Sequence, residues 1–144
     1  MENNALITLT TIQYVKGMDE DVTELTTKGR YAEKDGKFYI IYEESEVTGF
    51  EDTTTTIKVA PDKMLMSRKG KFNSRMEFLP GEKRLCRYPT PYGDISVAVK
   101  PVVYENGLKE EGGTVKLEYM LDLNNQYYAK NKLELNVKVL NQQI

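Results

Sequence analysis

Three charged residues, Arg68, Glu44 and Glu51, lie at positions from which their side chains could face the interior of the folded protein. Arg68 alternates in phase with the apolar Met66, and Glu51 alternates in phase with Ile57. Because a buried charge is costly without a partner, Arg68 requires a carboxylate, and either Glu44 or Glu51 could supply it. The group would either orient a polar or anionic ligand in a cavity or form a structural ion pair that closes one end of the core.

Further inward-facing residues are predicted to line the interior. Strand phase places Tyr119 and Asn131 beside each other on the apolar face. The other inward residues are aromatic side chains or methionines, namely Tyr31, Tyr42, Met64, Met66, Phe72, Met76 and Phe78. They would either line a pocket for a small amphipathic ligand or fill a solid core, since a small barrel is just wide enough to be filled by side chains.

The segment Tyr88-x-Thr90-Pro91-Tyr92-Gly93 predicts a rigid turn, because proline fixes one backbone angle and glycine relieves strain at another. Tyr88, Thr90 and Tyr92 would then contribute to the mouth of a barrel or form a structural corner.

Several common chemistries lack the residues they need. The chain has no histidine and one cysteine, Cys86, which excludes His-assisted nucleophiles and an internal disulfide. Arg84 and Arg87 could lower the pKa of Cys86, although a lone cysteine usually packs as a small hydrophobe. No catalytic residue, metal site or cofactor is predicted. An enzyme that uses Glu44 or Glu51 as a tuned carboxylate is the least favoured of three hypotheses.

Charge is unevenly distributed, although the net charge is only −2. Residues 63–87 contain two acidic residues and eight basic ones, which are Lys63, Arg68, Lys69, Lys71, Arg75, Lys83, Arg84 and Arg87. They predict either a solvated face or a surface over residues 63–92 that binds RNA or a protein. DNA is not an expected partner. The acidic runs at 19–21 and 43–46 lack the spacing and glycine of a calcium loop.

Period-2 alternation of apolar and polar residues runs nearly from end to end, which predicts an all-β domain spanning residues 1–144. Clean alternation favours antiparallel strands with one face in water. A meander of about eight to ten such strands would close into a barrel in preference to a sandwich, because closure removes exposed edges.

Matching the apolar faces predicts hairpin turns at Pro61–Asp62, Lys69–Lys71 and Asn124–Gln126. The predicted partners are Ile57 with Met66, Met66 with Ser74, and Leu117 with Leu133. A shift of the apolar phase near Thr10 and Thr11 predicts a β-bulge in the first strand. Pro101 and the pair Gly112–Gly113 predict an interrupted ladder and a bend.

Short motifs are spread in order along most of the chain. They are Gly29-x-Tyr31, Tyr39-Ile40-x-Tyr42-x-Glu44, Thr55-x-Ile57-Lys58-Val59, Arg68-x-Gly70, Met76-x-Phe78, Tyr88-x-Thr90-Pro91-Tyr92-Gly93, Leu117-x-Tyr119-x-Leu121 and Asn131-x-Leu133. Together they resemble the uncharacterised bacterial YwiB-like family, a domain of unknown function. The resemblance implies a lipocalin-like (calycin) barrel and brings no catalytic residues with it.

We therefore expect a non-enzymatic barrel that binds a small amphipathic or anionic molecule, with the RNA- or protein-binding surface as the alternative. The absence of a signal-like N-terminus, of a long apolar run and of paired cysteines predicts a cytoplasmic protein without a membrane segment.

Overall fold

The computed structural model describes residues 3–90 and 92–140, with residues 89 and 90 described by their backbone alone. Ten strands fill this part of the chain: β1 (Ala5–Val15), β2 (Asp21–Lys34), β3 (Lys37–Glu43), β4 (Thr53–Val59), β5 (Met64–Gly70), β6 (Ser74–Phe78), β7 (Arg84–Thr90), β8 (Gly93–Asn106), β9 (Gly112–Leu123) and β10 (Gln126–Val139). No helix in the described residues could cross a membrane.

Every hydrogen-bonded neighbour in the sheet is antiparallel. The strand order is β6-β5-β4-β3-β2-β1-β10-β9-β8-β7, so each strand pairs with its neighbours in sequence except β6 with β7, and β1 also pairs with β10. The ends of this order, β6 and β7, pack against each other without a ladder among the described residues. The sheet is therefore the predicted meander barrel, nearly closed, with a seam between β6 and β7.

Two predicted pairings are confirmed, because Ile57 lies opposite Met66 and Leu117 lies opposite Leu133. The pairing of Met66 with Ser74 is wrong. Met66 faces Met76, so this hairpin is displaced by two residues and turns at residues 71–73.

The last hairpin also differs from its prediction. Gln126 pairs with Leu123, and the turn consists of Asn124 and Asn125 alone. Both asparagines have positive φ angles, of 51° and 65°, as a two-residue type I′ turn requires. The residue that the prediction placed in the turn is taken up by a bulge between Tyr127 and Ala129.

The predicted bulge at Thr10 and Thr11 is wrong, because β1 pairs without a register shift along both neighbours. The irregularity expected at Pro101 is confirmed by a register shift between Pro101 and Val103. Gly112 and Gly113 have φ angles of 116° and 144°. A Cβ atom on Gly112 would lie 2.2 Å from the Val137 carbonyl oxygen, so this bend needs glycine.

The interior is filled unevenly. Most of the fully buried apolar side chains lie toward the end at which even-numbered strands finish, here called the packed end; they are Ile7, Ile40, Ile57, Val59, Met64, Val99, Val115, Leu117 and Leu135, with Phe78 between them and the other half. The opposite end, where odd-numbered strands finish, is called the mouth.

Candidate functional site

The mouth half of the barrel encloses a cavity of about 420 Å³. Its lining combines apolar side chains with a smaller set of polar ones: Leu9, Thr11, Gln13, Asp21, Thr23, Glu44, Thr48, Phe50, Met66, Arg68, Met76, Phe78, Tyr88, Ile95, Val97, Tyr119, Leu121, Leu123, Tyr128, Asn131 and Leu133. The exposure of Ile95 and Tyr128 at the rim shows where the cavity meets solvent. An apolar pocket with a few convergent polar groups is the usual form of a small-molecule site.

The cavity begins where inward-facing residues of β1 change from apolar to polar. Ala5, Ile7 and Leu9 are buried, whereas Thr11 and Gln13 line the cavity on the same face. Gln13 lies opposite Asn131 in the β1–β10 ladder, and its Nε2 donates to Asn131 Oδ1 at 2.9 Å. This change also explains why a bulge was predicted at Thr10 and Thr11. From there on the apolar residues of β1 occupy the outward-facing positions, while the strand itself continues without interruption.

A buried ion pair joins the two charged residues of the cavity wall. Arg68 Nε lies 3.4 Å from Glu44 Oε2, with the Arg68 side chain 9% exposed and that of Glu44 fully buried. Thr55 donates to the same carboxylate oxygen at 2.6 Å, and Thr48 donates to Oε1 at 3.0 Å. Two hydroxyls and the guanidinium therefore satisfy the Glu44 carboxylate without water.

The segment between β3 and β4, residues 44–52, folds over this ion pair. It carries Phe50, whose ring centre lies 4.1 Å from the Arg68 guanidinium carbon, a cation–π contact. The Phe50 ring meets Phe72 and Tyr88 edge-on, with ring centres 5.4 and 6.1 Å away. These contacts fix the guanidinium plane against an aromatic wall.

Two tyrosine side chains on β7 and β9 complete the polar part. Tyr88 and Tyr119 both line the cavity, and Tyr119 packs against Phe78 with ring centres 4.9 Å apart. Burial raises the pKa of both phenols, so each stays a neutral hydroxyl at physiological pH. Neither hydroxyl is hydrogen-bonded to another residue in the described part of the chain.

Four of the five polar residues predicted from the sequence line the cavity together: Glu44, Arg68, Tyr119 and Asn131. The prediction that Glu51 faces inward is wrong. Its side chain is 38% exposed, and it forms an ion pair with Lys71 at 3.2 Å. Glu51 lies in the turn before β4, where the alternation that was used to place it does not hold. Lys71 and the backbone lower the pKa of Glu51.

Of the seven residues predicted either to line a pocket or to fill the core, three line the cavity, namely Met66, Met76 and Phe78. Tyr31, Tyr42 and Met64 lie outside its lining. Met64 and Tyr42 are buried in the core, and Tyr31 lies toward the packed end, where its hydroxyl donates to the Lys109 carbonyl. Burial and the nearby Glu44 carboxylate raise the pKa of Tyr42. Phe72 packs on Phe50 outside the cavity lining.

Of the predicted mouth residues, Tyr88 lines the cavity, whereas the Tyr92 side chain is 99% exposed and points away from it. The side chain of Thr90 and all of Pro91 lie outside the residues described.

Sequence reasoning missed Thr11, Gln13 and Phe50. For the first two the signal was present, because they continue the inward phase of Ile7 and Leu9 with polar residues. Phe50 carried no such signal, since it follows an irregular segment.

Fewer basic side chains of residues 63–87 are available to bind RNA or a protein than the composition suggests. Arg68 is buried against Glu44, and the other paired residues are Lys71 with Glu51, Lys83 with Asp122, and Arg84 with both Glu77 and Glu82. The suggestion that neighbouring arginines lower the Cys86 pKa is also wrong, because burial raises the pKa of this thiol.

Comparison with known proteins places this geometry in a family. The family model for "Domain of unknown function (DUF1934)" matches residues 7–135. The chain is 26% identical over 101 residues to "Uncharacterized beta-barrel protein YwiB" of Bacillus subtilis (strain 168), which covers 70% of each chain. The crystal structure of the ywiB protein from Bacillus subtilis gives a TM-score of 0.84 at 19% identity, over 96% of this chain and 93% of that one, which shows a shared fold. The resemblance inferred from the motifs is confirmed, and the chain belongs to the DUF1934 family.

Proposed function

We propose that this barrel is a binding protein for a small amphipathic molecule, which it holds in the mouth half of its interior. The observation that carries the proposal is the uneven filling of the barrel: the packed end holds most of the fully buried apolar side chains, and the mouth half encloses about 420 Å³ between apolar and polar walls. This volume lies within the range of about 300–1,000 Å³ typical of small-ligand pockets.

The lining supports a ligand with two unlike parts. Leu9, Leu121 and Leu133 offer an apolar wall, while Arg68 and Asn131 offer hydrogen-bonding groups. Barrels of about this size hold one small ligand in lipocalins, and we include a lipocalin-like mode of binding in the proposal. The RNA- or protein-binding alternative remains a prediction from composition, and the ion pairs of the basic segment give it no added support.

A bulky side chain placed in the cavity tests the proposal. Leu121 faces the cavity from β9, whereas its neighbour Met120 lies on the outer face of the same strand. Leu121→Trp should weaken binding of the neutral fluorescent probe N-phenyl-1-naphthylamine by about tenfold or more, equivalent to about 1.4 kcal/mol. Met120→Trp is the matched control and should leave the dissociation constant unchanged.

Equal probe affinity in Leu121→Trp and the unmodified protein, with circular dichroism showing both folded, would count against a ligand cavity. If Leu121→Trp weakens probe binding as expected, native mass spectrometry of protein purified from its own host identifies the natural ligand by its mass.

A further inference from the structure

The cavity wall contains hydrogen-bond donors that the protein itself does not use. The Arg68 guanidinium has five N–H groups, and the Glu44 contact involves only Nε. No hydrogen bond joins Nη1 or Nη2 of Arg68 to another residue among those described. These groups belong to a side chain only 9% exposed, and neither nitrogen is among the fully buried polar atoms without a partner, so both keep contact with the cavity's solvent.

Both oxygens of the Glu44 carboxylate are already engaged by other donors. Its Oε2 accepts from Thr55 and Arg68, and its Oε1 accepts from Thr48. The carboxylate is held by three elements at once, which prevents it from turning to meet the guanidinium side by side. The acceptors for the Arg68 Nη groups are therefore water or a ligand in the cavity.

The hydroxyls of Tyr88 and Tyr119 add further donors to the same wall. Both belong to the cavity lining, and both interact electrostatically with Arg68. A planar fork of N–H groups beside two neutral hydroxyls matches a group with two acceptor oxygens in one plane.

Charge selects among such groups. The Glu44–Arg68 pair is already neutral overall, so each negative charge on a ligand carries a desolvation cost in this site. Charge-assisted hydrogen bonds from Arg68, Tyr88 and Tyr119 can offset that cost for a single charge. A carboxylate brings one negative charge, whereas a phosphate monoester brings about 1.5 to 2. The site therefore fits a monoanion better than a phosphate.

We propose that Arg68, Tyr88 and Tyr119 form a carboxylate subsite, and that the ligand is a medium-chain carboxylic acid whose tail lies along Leu9, Leu121 and Leu133. This inference rests on the proposed function and adds the chemical class of the ligand. The cavity lies toward the small end of the usual pocket range, which suits a medium chain better than a long one.

The test compares ligands that share a tail and differ in the head group. Octanoate, octanol, octylamine and octyl phosphate are titrated into the full-length protein by displacement of N-phenyl-1-naphthylamine. Octanoate should bind at least tenfold more tightly than octanol, with octyl phosphate weaker than octanoate and octylamine the weakest.

A double variant removes the subsite while keeping the cavity. Glu44→Gln/Arg68→Met replaces the buried ion pair by neutral side chains of similar size, so no unpaired charge is left behind. Octanoate should lose its advantage in this variant, while octanol binds within about twofold of its original affinity. Glu51→Gln/Lys71→Met is the matched control: it removes an exposed ion pair outside the cavity and should leave the preference for octanoate intact.

The carboxylate subsite is overturned if octanoate binds no more tightly than octanol, or if its advantage survives in Glu44→Gln/Arg68→Met. If the probe and all four ligands fail to bind the unmodified protein, the proposed function falls as well, which separates the two failures.

Discussion

At the scale of single residues, the Glu44–Arg68 ion pair has the most to lose from substitution. Its members are buried and share one contact of 3.4 Å, with two threonine hydroxyls completing the carboxylate. Removing one member leaves the other charge buried without its partner, whereas removing both leaves no charge to satisfy.

Arg68→Met alone should therefore lower the free energy of unfolding by about 3–5 kcal/mol. Glu44→Gln/Arg68→Met should lie within about 1 kcal/mol of the unmodified protein. Urea unfolding followed by circular dichroism measures both. If the single and double variants lose equal stability, the two charges are not coupled.

Part of this site was predictable from residue type and phase. Arg68 lies in a regular strand beside Met66, and the cost of an unpaired buried charge demanded a carboxylate. The choice between Glu44 and Glu51 was not predictable, because both lie in the irregular segment 44–52, in which alternation no longer reports the direction of a side chain.

At the scale of strands and hairpins, the error in the β5–β6 hairpin has a simple physical cause. Side chains repeat every two residues along a strand, so shifting a hairpin by two residues leaves both faces unchanged. This is why Met66 was correctly assigned to the inward face but given the wrong partner. The turn glycines and asparagines, not the apolar pattern, determine the final register.

The same period misled the interpretation of β1, where apolar residues were assumed to mark the inward face throughout. Thr11 and Gln13 face inward because that part of the barrel is hollow. Polar residues that interrupt the inward-facing apolar positions of a strand therefore indicate either a cavity or a bulge. The sequence alone does not distinguish the two.

The Gly112 bend gives a prediction at this scale. Gly112→Ala would place a Cβ against the Val137 carbonyl at a φ of 116°, and should cost about 3 kcal/mol of unfolding free energy. Gly81→Ala is the matched control, since Gly81 also has a positive φ but open space around it, and should cost about 1 kcal/mol. Equal losses by urea unfolding would mean that the close backbone approach is unimportant.

At the scale of the whole molecule, the two ends of the barrel differ, because one buries apolar side chains and the other contains the cavity. The packed end supplies the apolar burial that keeps the fold stable, and Tyr104 reinforces it by donating to the Ala60 carbonyl in the β4–β5 turn. The mouth half gives up some of that burial to form the cavity. A meander barrel of about eight to ten strands was predicted from alternation. The exact strand count, the seam and the hollow half were not predictable, since closure and volume depend on packing in three dimensions.

Buried tyrosines make the stability of the whole barrel sensitive to alkali. Burial raises the pKa of Tyr42 and Tyr119 above the ordinary value of 10.0, so the folded protein keeps protons that the unfolded chain releases. Their contribution to the free energy of unfolding is fully present below about pH 10 and is lost as pH rises above it. The free energy of unfolding then falls by up to about 1.4 kcal/mol per pH unit for each residue.

Tyr42→Phe should reduce this alkaline loss while leaving stability near pH 7 unchanged or slightly higher, because the Tyr42 hydroxyl is buried without a hydrogen-bond partner among the described residues. Urea midpoints measured between pH 7 and 11 check the slope. Parallel curves for the two proteins would show that Tyr42 ionises as freely in the folded state as in the unfolded chain.

The seam between β6 and β7 has a consequence for how the chain could be cut and rejoined. Because β1 pairs with β10, every ladder of the barrel survives if the polypeptide is opened in the exposed turn at residues 80–83 and β10 is joined to β1 by a short linker. The barrel is thus a ring of strands in which the position of the chain break is separable from the architecture, and a circular permutant that begins at β7 would preserve the packed end and the cavity alike.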